Sequence, residues 1–418
     1  MNEEQIPRGT SRRVLLTGVG LHGAFGGADE TWQALSEGRT AVSGFRLPSE
    51  DGFPDVPAAS AAPFSLGELV PDRKLVKYMS PTTALAVLAA GRALSSAGLL
   101  GDCSRLSDAA LFVATGLIGF DLFQVAHLRS TSVDDLDRID YAGMGQEGLR
   151  RCHPLMPFKM LLNMPLGLIS IVYGIRGENF ILYPGADQAG ACLETAIRGI
   201  RQGRFSRAVV GGSAQPLSMM PLCTLLRAGR VAKSPGAAEP YRPEHAGIAP
   251  ADAGAFVVLE SAESTAERGA RAIAEVRAVT MAYSRASTAD AAGPEARRQE
   301  LLRDLWREAA GSRGPDGIVS TGSLDAEQDS QDEQAARSLW PSRPRPPALS
   351  SFDGRLGHGS AAAPFGALVL ASLMIDRQAQ PGNPGDDLAP PIRELLVSAR
   401  EPRGGMIAVC IAAPERGA

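Results

Sequence analysis

The stretch that most constrains this chain is residues 177–212, which read GENFILYPGADQAGACLETAIRGIRQGRFSRAVVGG. It runs from an apolar strand through a glycine-containing turn into an amphipathic helix, and then into a second buried strand. In many α/β enzymes such a turn presents a nucleophile at a helix N-terminus, where backbone N–H groups and the helix dipole stabilise an anion. This turn, from Pro184 to Ala189, holds no Ser or Cys. The sequence therefore predicts the frame of a catalytic elbow without its nucleophile.

Strands and helices alternate along the rest of the chain. Buried strands are predicted at 12–21, 109–116, 207–214 and 255–260, and helices at 78–98 and 159–175. The nearly all-apolar segment 159–175 implies burial in the core or at an interface between subunits. The second half repeats the order of buried strand, glycine-bearing turn and helix. This alternation predicts an α/β fold in which helices sandwich a mostly parallel sheet.

Composition excludes several classes of function. The formal net charge of −4 gives no general attraction to nucleic acid or to an anionic membrane. No run of about 18 uninterrupted apolar residues occurs, so no membrane span is expected. The five cysteines form no CxxC pair, which argues against a zinc site and a disulfide framework. We expect a cytoplasmic protein that binds no metal and no other cofactor.

Several blocks, in this order and at suitable spacing, resemble the β-ketoacyl synthase family of condensing enzymes. They are RRVLLTGVGLHGAFGGADETWQALSEGRTAVSGF, NMPLGLISIVYGIRGENF, IRQGRFSRAVVGGSA, ADAGAFVVLESAESTAERGARAIAEV, LGHGSAAAPFGALVL and PRGGMIAVCI. The resemblance implies a duplicated thiolase-like fold, layered α-β-α-β-α with two mixed sheets. It also implies an N-terminal half at 1–260 and a C-terminal half at 261–418.

The family's catalytic positions can be read against this sequence. The resemblance implies a cysteine at the elbow that accepts an acyl group from acyl carrier protein, two histidines, and a lysine that supports the second histidine. A gap-free match of the flanking glycines places Ala186 at the cysteine position. In the segment TGSLDAEQDSQDE, which resembles the HGTxTxxxDxxE motif, Thr321 takes the place of the first histidine. Asp353 occupies the lysine position, and His358 is retained.

These exchanges remove the chemistry that the family requires. The Ala186 methyl group carries no thioester, and a threonine does not titrate near neutral pH, so Thr321 is no acid or base there. Asp353 reverses the charge of the lysine. The glycine loop, Arg403 to Gly405, carries Arg403 where the family has a gating phenylalanine, followed by Gly404 and Gly405. We therefore expect a subunit that is not catalytic alone.

Relatives without the cysteine include the chain length factor, the β subunit of type II polyketide synthases, which pairs with a catalytic ketosynthase. Such partners commonly carry glutamine at the cysteine position, and Gln188 in DQAGA is the alternative to Ala186. The resemblance implies a heterodimer with an active ketosynthase and contact with acyl carrier protein through that partner. It also implies a set of residues at the interface and the acyl tunnel: Met156, Pro157, Phe158, Asn163 and Met164.

The main alternative function is a ketosynthase-like malonyl thioester decarboxylase, or an acyltransferase, that acts alone. Decarboxylation would use both histidines, and Thr321 argues against it. We interpret His153 and His245 as structural loop residues. The acidic run at 325–333 is interpreted as a solvated helix start, since acids favour a helix N-terminus.

Overall fold

The structure is a computed structural model, and it describes residues 12–47, 54–67, 69–117, 119, 122–134, 136–183, 187–283, 294–382, 388, 391–401 and 405–415. The strands are β1 (Val14–His22), β2 (Ser43–Phe45), β3 (Val56–Ala58), β4 (Ala110–Thr115), β5 (Asn179–Leu182), β6 (Arg207–Ala214), β7 (Ala253–Ser261), β8 (Ala274–Tyr283), β9 (Gly317–Thr321), β10 (Ala348–Ser351), β11 (Glu394–Arg400) and β12 (Gly405–Ala412).

The helices are α1 (Ala28–Ser36), α2 (Pro81–Ser96), α3 (Cys103–Leu106), α4 (Leu122–Ser132), α5 (Tyr141–Gly143), α6 (Leu149–Arg151), α7 (Met156–Met160), α8 (Met164–Tyr173), α9 (Asp187–Arg201), α10 (Met219–Arg227), α11 (Ala262–Glu267), α12 (Pro294–Ala310), α13 (Ala326–Leu339), α14 (Asp353–Leu356) and α15 (Ala363–Arg377). Short helical turns of other pitch lie at Arg73–Tyr78, Met144–Gly148, Gly236–Ala238 and Ser360–Ala362.

The sheet shows the duplication that the sequence predicts. Its first half has the strand order β1-β7-β6-β4-β5, and its second half has the order β8-β12-β11-β9-β10. In each half the first two pairings are antiparallel and the last two are parallel. Strand for strand, the two halves follow the same pairing pattern. The predicted boundary between 1–260 and 261–418 stays a prediction.

Each half of this strand order contains both antiparallel and parallel pairs, and the two halves correspond to the two mixed sheets that were predicted. They meet where Val14–Leu16 of β1 pairs with Ala274–Val276 of β8 in antiparallel register. The hydrogen-bonded ladder is therefore continuous over ten strands.

Helices pack in three layers around these halves. α2 and α8 contact each other, and α2 also covers β1, β6 and β7. α9 and α15 lie between the halves, because each contacts strands of both. α12 covers β8, β11 and β12, and it packs on α13. The predicted α-β-α-β-α layering is confirmed.

Local sequence explains where the helices begin. α2 starts at Pro81, and the side chain of Ser80 caps it by accepting the Thr83 N–H at 3.2 Å. The single helix predicted at 159–175 is wrong. The segment instead forms α7 and α8, which are separated at 161–163. Pro165 explains the break, because in a continuous helix its ring would clash with the Leu161 carbonyl, and proline donates no N–H.

One stretch of the described residues, Ser360–Arg377, has the length and apolar character of a membrane span. It contains α15, which lies between the two sheet halves, and 78% of the stretch is buried inside the protein. A helix that is apolar on all sides is expected in the core of a large fold. The stretch is therefore a core helix, and the predicted cytoplasmic location stays a prediction.

Candidate active site

The predicted elbow lies between β5 and α9. Ala186 falls within residues 184–186, which lie outside the described part of the chain. Gln188, the alternative, is the second residue of α9 and is partly buried. The one thiol on α9, Cys192, is fully buried, and burial raises its pKa above the usual thiol range. Cys192 is therefore no substitute nucleophile, since the thiolate is the reactive form.

Three of the predicted site residues come together at the ends of neighbouring elements. Thr321 ends β9, Asp353 begins α14, and His358 follows α14. Parallel pairing of β9 with β10 brings these segments to one edge of the sheet. All three side chains are buried. We refer to Thr321, Asp353 and His358 as the Thr–Asp–His cluster.

The carboxylate of Asp353 is the centre of this cluster. The Thr321 hydroxyl donates to both Asp353 oxygens at 2.9 Å, and the Gly322 N–H donates to Oδ2 at 2.9 Å. His358 Nδ1 lies 3.2 Å from the same Oδ2 and 3.3 Å from the Thr321 hydroxyl. Thr321 and Asp353 are thus coupled, because the hydroxyl satisfies the buried carboxylate. Buried charges need such hydrogen-bonding partners.

The environment of His358 favours its charged form. Burial opposes the imidazolium, but the hydrogen bond to Asp353, the charge of Asp353 and the charge of Glu401 outweigh it, so the pKa of His358 is raised. The backbone is fixed as well. The His358 N–H donates to the Ala249 carbonyl at 2.7 Å, and its carbonyl accepts the Ala251 N–H at 3.0 Å. His358 is therefore held in place by both its backbone and its side chain.

Thr321 and Asp353 also line a cavity of about 60 Å³. Its other walls are mostly small or apolar, and they include Leu21, Phe352, Leu356, Ala363 and Leu370. A buried water needs about 10–15 Å³ by the same measure, so the cavity has room for a few waters. It is too small for a growing acyl chain.

A second polar network beside the cluster was missed by the sequence interpretation. Asp329 and Asp332 on α13 are buried, so the predicted solvated helix start is wrong for these two residues. Asp329 accepts the His245 Nδ1–H at 2.6 Å and the Tyr241 N–H at 2.7 Å. His245 is thus buried and paired.

Asp332 continues the network towards the cluster. It forms an ion pair with Arg400, and it accepts the Tyr241 hydroxyl at 3.3 Å. The Tyr241 oxygen also lies 2.6 Å from the Ser320 hydroxyl, next to Thr321. Burial, partly offset by Arg400, raises the pKa of Asp332 to about 6. The sequence signal for this network was the spacing of Asp329 and Asp332, because acids three residues apart lie on the same face of a helix.

The remaining predicted site residues, those of the interface, the acyl tunnel and the glycine loop, lie outside the Thr–Asp–His cluster. Phe158, Pro157 and Asn163 are exposed, and Met156 and Met164 are partly buried. The Phe158 ring packs edge-on against Tyr78 at 5.6 Å. Of the glycine loop, Arg403 and Gly404 lie outside the described residues, and Gly405 begins β12. His153 is exposed.

Within the described ranges, no group of three or more His, Cys, Asp or Glu side chains is arranged to hold a metal ion.

The duplicated, layered fold defines a thiolase-like protein. The sequence model of the β-ketoacyl synthase N-terminal domain matches residues 11–265, which is more than half of the 418 residues. The chain belongs to the β-ketoacyl synthase family.

Its curated relatives include nodulation protein E and a 3-oxoacyl-[acyl-carrier-protein] synthase. Nodulation protein E of Rhizobium sp. (strain N33) is 27% identical over 296 residues, which cover 70% of this chain and 69% of the relative. 3-Oxoacyl-[acyl-carrier-protein] synthase 2 of Staphylococcus aureus (strain N315) is 21% identical over 270 residues, covering 64% and 62%.

Solved structures share the fold at lower identity. The ishigamide ketosynthase/chain length factor aligns with a TM-score of 0.78 at 19% identity, over 97% of this chain and 100% of that one. AntDE:AntF, a type II polyketide synthase acyl carrier protein in complex with its ketosynthase, has a TM-score of 0.74 at 20% identity, over 97% and 100%. A β-ketoacyl synthase from Burkholderia phymatum has a TM-score of 0.76 at 19% identity, again over 97% and 100%.

Proposed function

We propose that this chain is a non-catalytic chain length factor, which pairs with an active ketosynthase of a type II polyketide synthase and shapes the tunnel for the growing chain. The observation that carries the proposal is the Thr–Asp–His cluster. Its hydroxyl and carboxylate hydrogen-bond to each other, so neither is arranged as the general acid or base that condensation needs. With Ala186 assigned to the nucleophile position, this chain would shape the acyl tunnel of the complex, and the partner subunit would catalyse the condensation.

The first half of the sheet presents a surface suited to such a partner. β5 is the outermost strand and pairs only with β4 among the described strands, so its other edge has unpaired backbone groups. Exposed apolar side chains lie nearby in sequence on α7, α8 and the segment between them: Phe158 (46% exposed), Leu161 (47%), Leu162 (41%) and Ile171 (64%). Exposed apolar groups mark interaction surfaces where they form a contiguous patch. Strand addition at β5 with apolar packing around it fits a stable heterodimer.

The solved neighbours support the same assignment. One of them is a ketosynthase paired with a chain length factor, and another is a ketosynthase complex with its acyl carrier protein. By analogy, the carrier protein would reach this chain through the complex with the ketosynthase. The assignment of the chain length factor role rests on these analogies together with the altered cluster.

The proposal is tested by co-expression with a ketosynthase that has an intact Cys-His-His set. We expect a heterodimer on size-exclusion chromatography and polyketide formation that requires both chains. The lone chain is expected to release no CO₂ from malonyl-acyl carrier protein. A lone chain that condenses or decarboxylates would favour the alternative of a ketosynthase-like enzyme acting alone.

Replacing Ile171 with aspartate should weaken the heterodimer about 100-fold, because the exchange puts a charge into an apolar interface. Ile171 is exposed in the single chain, so the free energy of unfolding of that chain should change little. Gln334→Asp is the control, since Gln334 is exposed on α13, which packs against α12 in the outer layer of the second half. Dissociation constants from surface plasmon resonance would report the effect. Equal affinities for the two variants would contradict the assigned interface.

Replacing Phe158 with alanine should lengthen the polyketide product by at least one extender unit. The reason is that the aromatic ring would no longer fill the tunnel end that this residue is proposed to form. Mass spectrometry of the products gives the chain length, and size-exclusion chromatography confirms that the heterodimer persists. An unchanged product from an intact heterodimer would assign this chain a purely stabilising role.

A further inference from the structure

The imidazole of His22, at the end of β1, is buried between two hydrogen-bonding partners of opposite kind. Its Nδ1 lies 2.9 Å from Arg92 Nη1, and its Nε2 lies 2.9 Å from the Ala62 carbonyl oxygen. A guanidinium group only donates hydrogen bonds, and a carbonyl group only accepts them. Both contacts are therefore made only by the neutral imidazole that carries its proton on Nε2.

Protonation of His22 would break its contact with Arg92. An Nδ1–H group would point at the N–H of the guanidinium, and two positive charges would meet inside the protein. Arg92 Nη1 also donates to the Leu21 carbonyl at 2.8 Å. Arg92 therefore loses a second hydrogen bond if it moves away from the charged imidazole.

The charged groups that face His22 come from two helices. α2 brings Arg92, and α1 brings Glu30, an exposed carboxylate that attracts a charged imidazole. The other two neighbours bring no charge. β7 places Gly254 opposite His22, and the segment 59–67 contributes a backbone carbonyl and an aromatic ring. The contact at hydrogen-bond distance is thus with the positive group.

His22 anchors the segment 59–67, which follows β3. Its Nε2–H donates to the Ala62 carbonyl, and the Phe64 ring packs edge-on against the imidazole with ring centres 4.9 Å apart. The Ala62 N–H in turn donates to the Gly23 carbonyl, directly after β1, at 3.0 Å. The imidazole is therefore part of the attachment of this segment to β1.

The anchored segment also adjoins the Thr–Asp–His cluster. The Ala59 N–H donates to the Pro250 carbonyl at 3.0 Å, and the Asp252 N–H donates to the Ala59 carbonyl at 3.2 Å. Between them, the Ala251 N–H donates to the His358 carbonyl at 3.0 Å. The segment 59–67 thus lies against the stretch of chain that holds the His358 backbone.

We propose that the His22–Arg92 contact is an acid-sensitive latch: below neutral pH His22 takes up a proton, repels Arg92 and releases the segment 59–67 from β1. The latch is a property of this chain alone and does not rest on the proposed role in polyketide synthesis.

The sign of the pH effect follows from the surroundings of His22. Burial lowers its pKa, the hydrogen bond to Ala62 and the charge of Glu30 offset this in part, and Arg92 lowers it further, so the pKa lies below the ordinary 6.5. The folded state then binds this proton less tightly than the unfolded state. The stabilising contribution of the latch is complete above about pH 6.5 and is lost as the pH falls towards the lowered pKa.

Hydrogen–deuterium exchange of the full-length chain tests the latch in the peptide that contains residues 59–67. Between pH 7.5 and pH 5 we expect the protection factors of this peptide, which correct for the chemical effect of pH, to fall about 10-fold. In His22→Gln they should fall much less, because glutamine offers an acceptor to Arg92 and a donor to Ala62 at both pH values.

Two buried carboxyl groups also bind protons in this range, since the pKa of Asp252 is raised to about 7 and that of Asp332 to about 6. Both are present in the parent and in His22→Gln, so the difference between these two proteins isolates His22. His153→Gln is the matched control, since His153 is exposed, and it should behave like the parent. If the parent and His22→Gln lose the same protection between the two pH values, the latch is overturned.

A second measurement decides if His22→Gln does not fold. The nitrogen shifts of labelled histidine distinguish an imidazole protonated on Nε2 from the other forms, and a nuclear Overhauser contact with the Phe64 ring identifies His22. At pH 7.5 we expect the neutral form with its proton on Nε2, and a titration midpoint below 6.5. A proton on Nδ1 at pH 7.5, or a midpoint at or above 6.5, would overturn the proposal.

Discussion

Replacing Asp353 with lysine, the residue that the family resemblance implies at this position, should destabilise the protein by about 3–5 kcal/mol. The ammonium would be buried next to His358, and the Thr321 hydroxyl and the Gly322 N–H would lose their acceptor. Burying an unpaired charge and leaving a buried donor unsatisfied are among the few mechanisms that cause losses of this size. Urea denaturation followed by circular dichroism measures the change.

The control for this exchange is Asp304→Lys. Asp304 lies on α12 with 61% of its side chain exposed, and its contact is an ion pair with Arg307 three residues away. The same change of charge there should alter the free energy of unfolding by only about 0.5 kcal/mol. If the Asp353→Lys protein were as stable as its parent, the hydrogen bonds to the Asp353 carboxylate would contribute little to stability.

Replacing Asp252 with asparagine should stabilise the protein by up to about 4 kcal/mol at pH 8. Burial raises the pKa of Asp252 to about 7 from 3.8, and the single hydrogen bond from the Leu217 N–H at 3.1 Å offsets this only in part. The difference between the two pKa values, at about 1.4 kcal/mol for each pH unit, sets the size of the effect. Asparagine keeps an acceptor for Leu217 and removes the charge.

The pH dependence gives the sign of this effect. The folded state binds the Asp252 proton more tightly than the unfolded state, so the penalty is absent below about pH 4. It grows as the pH rises from about 4 to 7 and is constant above that range. Asp252→Asn should therefore match the parent at pH 4 and exceed it at pH 8. If the stability difference between Asp252→Asn and the parent did not vary with pH, the raised pKa assigned to Asp252 would be wrong.

The sequence predicted the layered α/β fold, because the alternation of strands and helices and the glycine-bearing turns are local signals. It did not predict the break between α7 and α8, where apolar character suggested one helix and Pro165 ended it. Apolar composition does not report backbone continuity.

The site was predictable as a set of positions but not as a set of contacts. Thr321 and His358 are 37 residues apart, and strand pairing decides that they meet. The hydrogen bonds from Thr321 satisfy the buried carboxylate of Asp353, and no local sequence pattern encodes that contact. The burial of His245 and Asp329 likewise depends on a contact across 84 residues.

The pairing of β1 has a consequence for synthesis of the chain. β1 is flanked by β7 and β8, which begin at Ala253 and Ala274, so both of its neighbours emerge from the ribosome long after β1 itself. Contacts of such high sequence separation slow folding. During translation the most apolar N-terminal segment must remain unpaired until about two thirds of the protein exists. We expect co-expressed chaperones to raise the soluble yield of this chain, because they would shield β1 until its neighbouring strands are made.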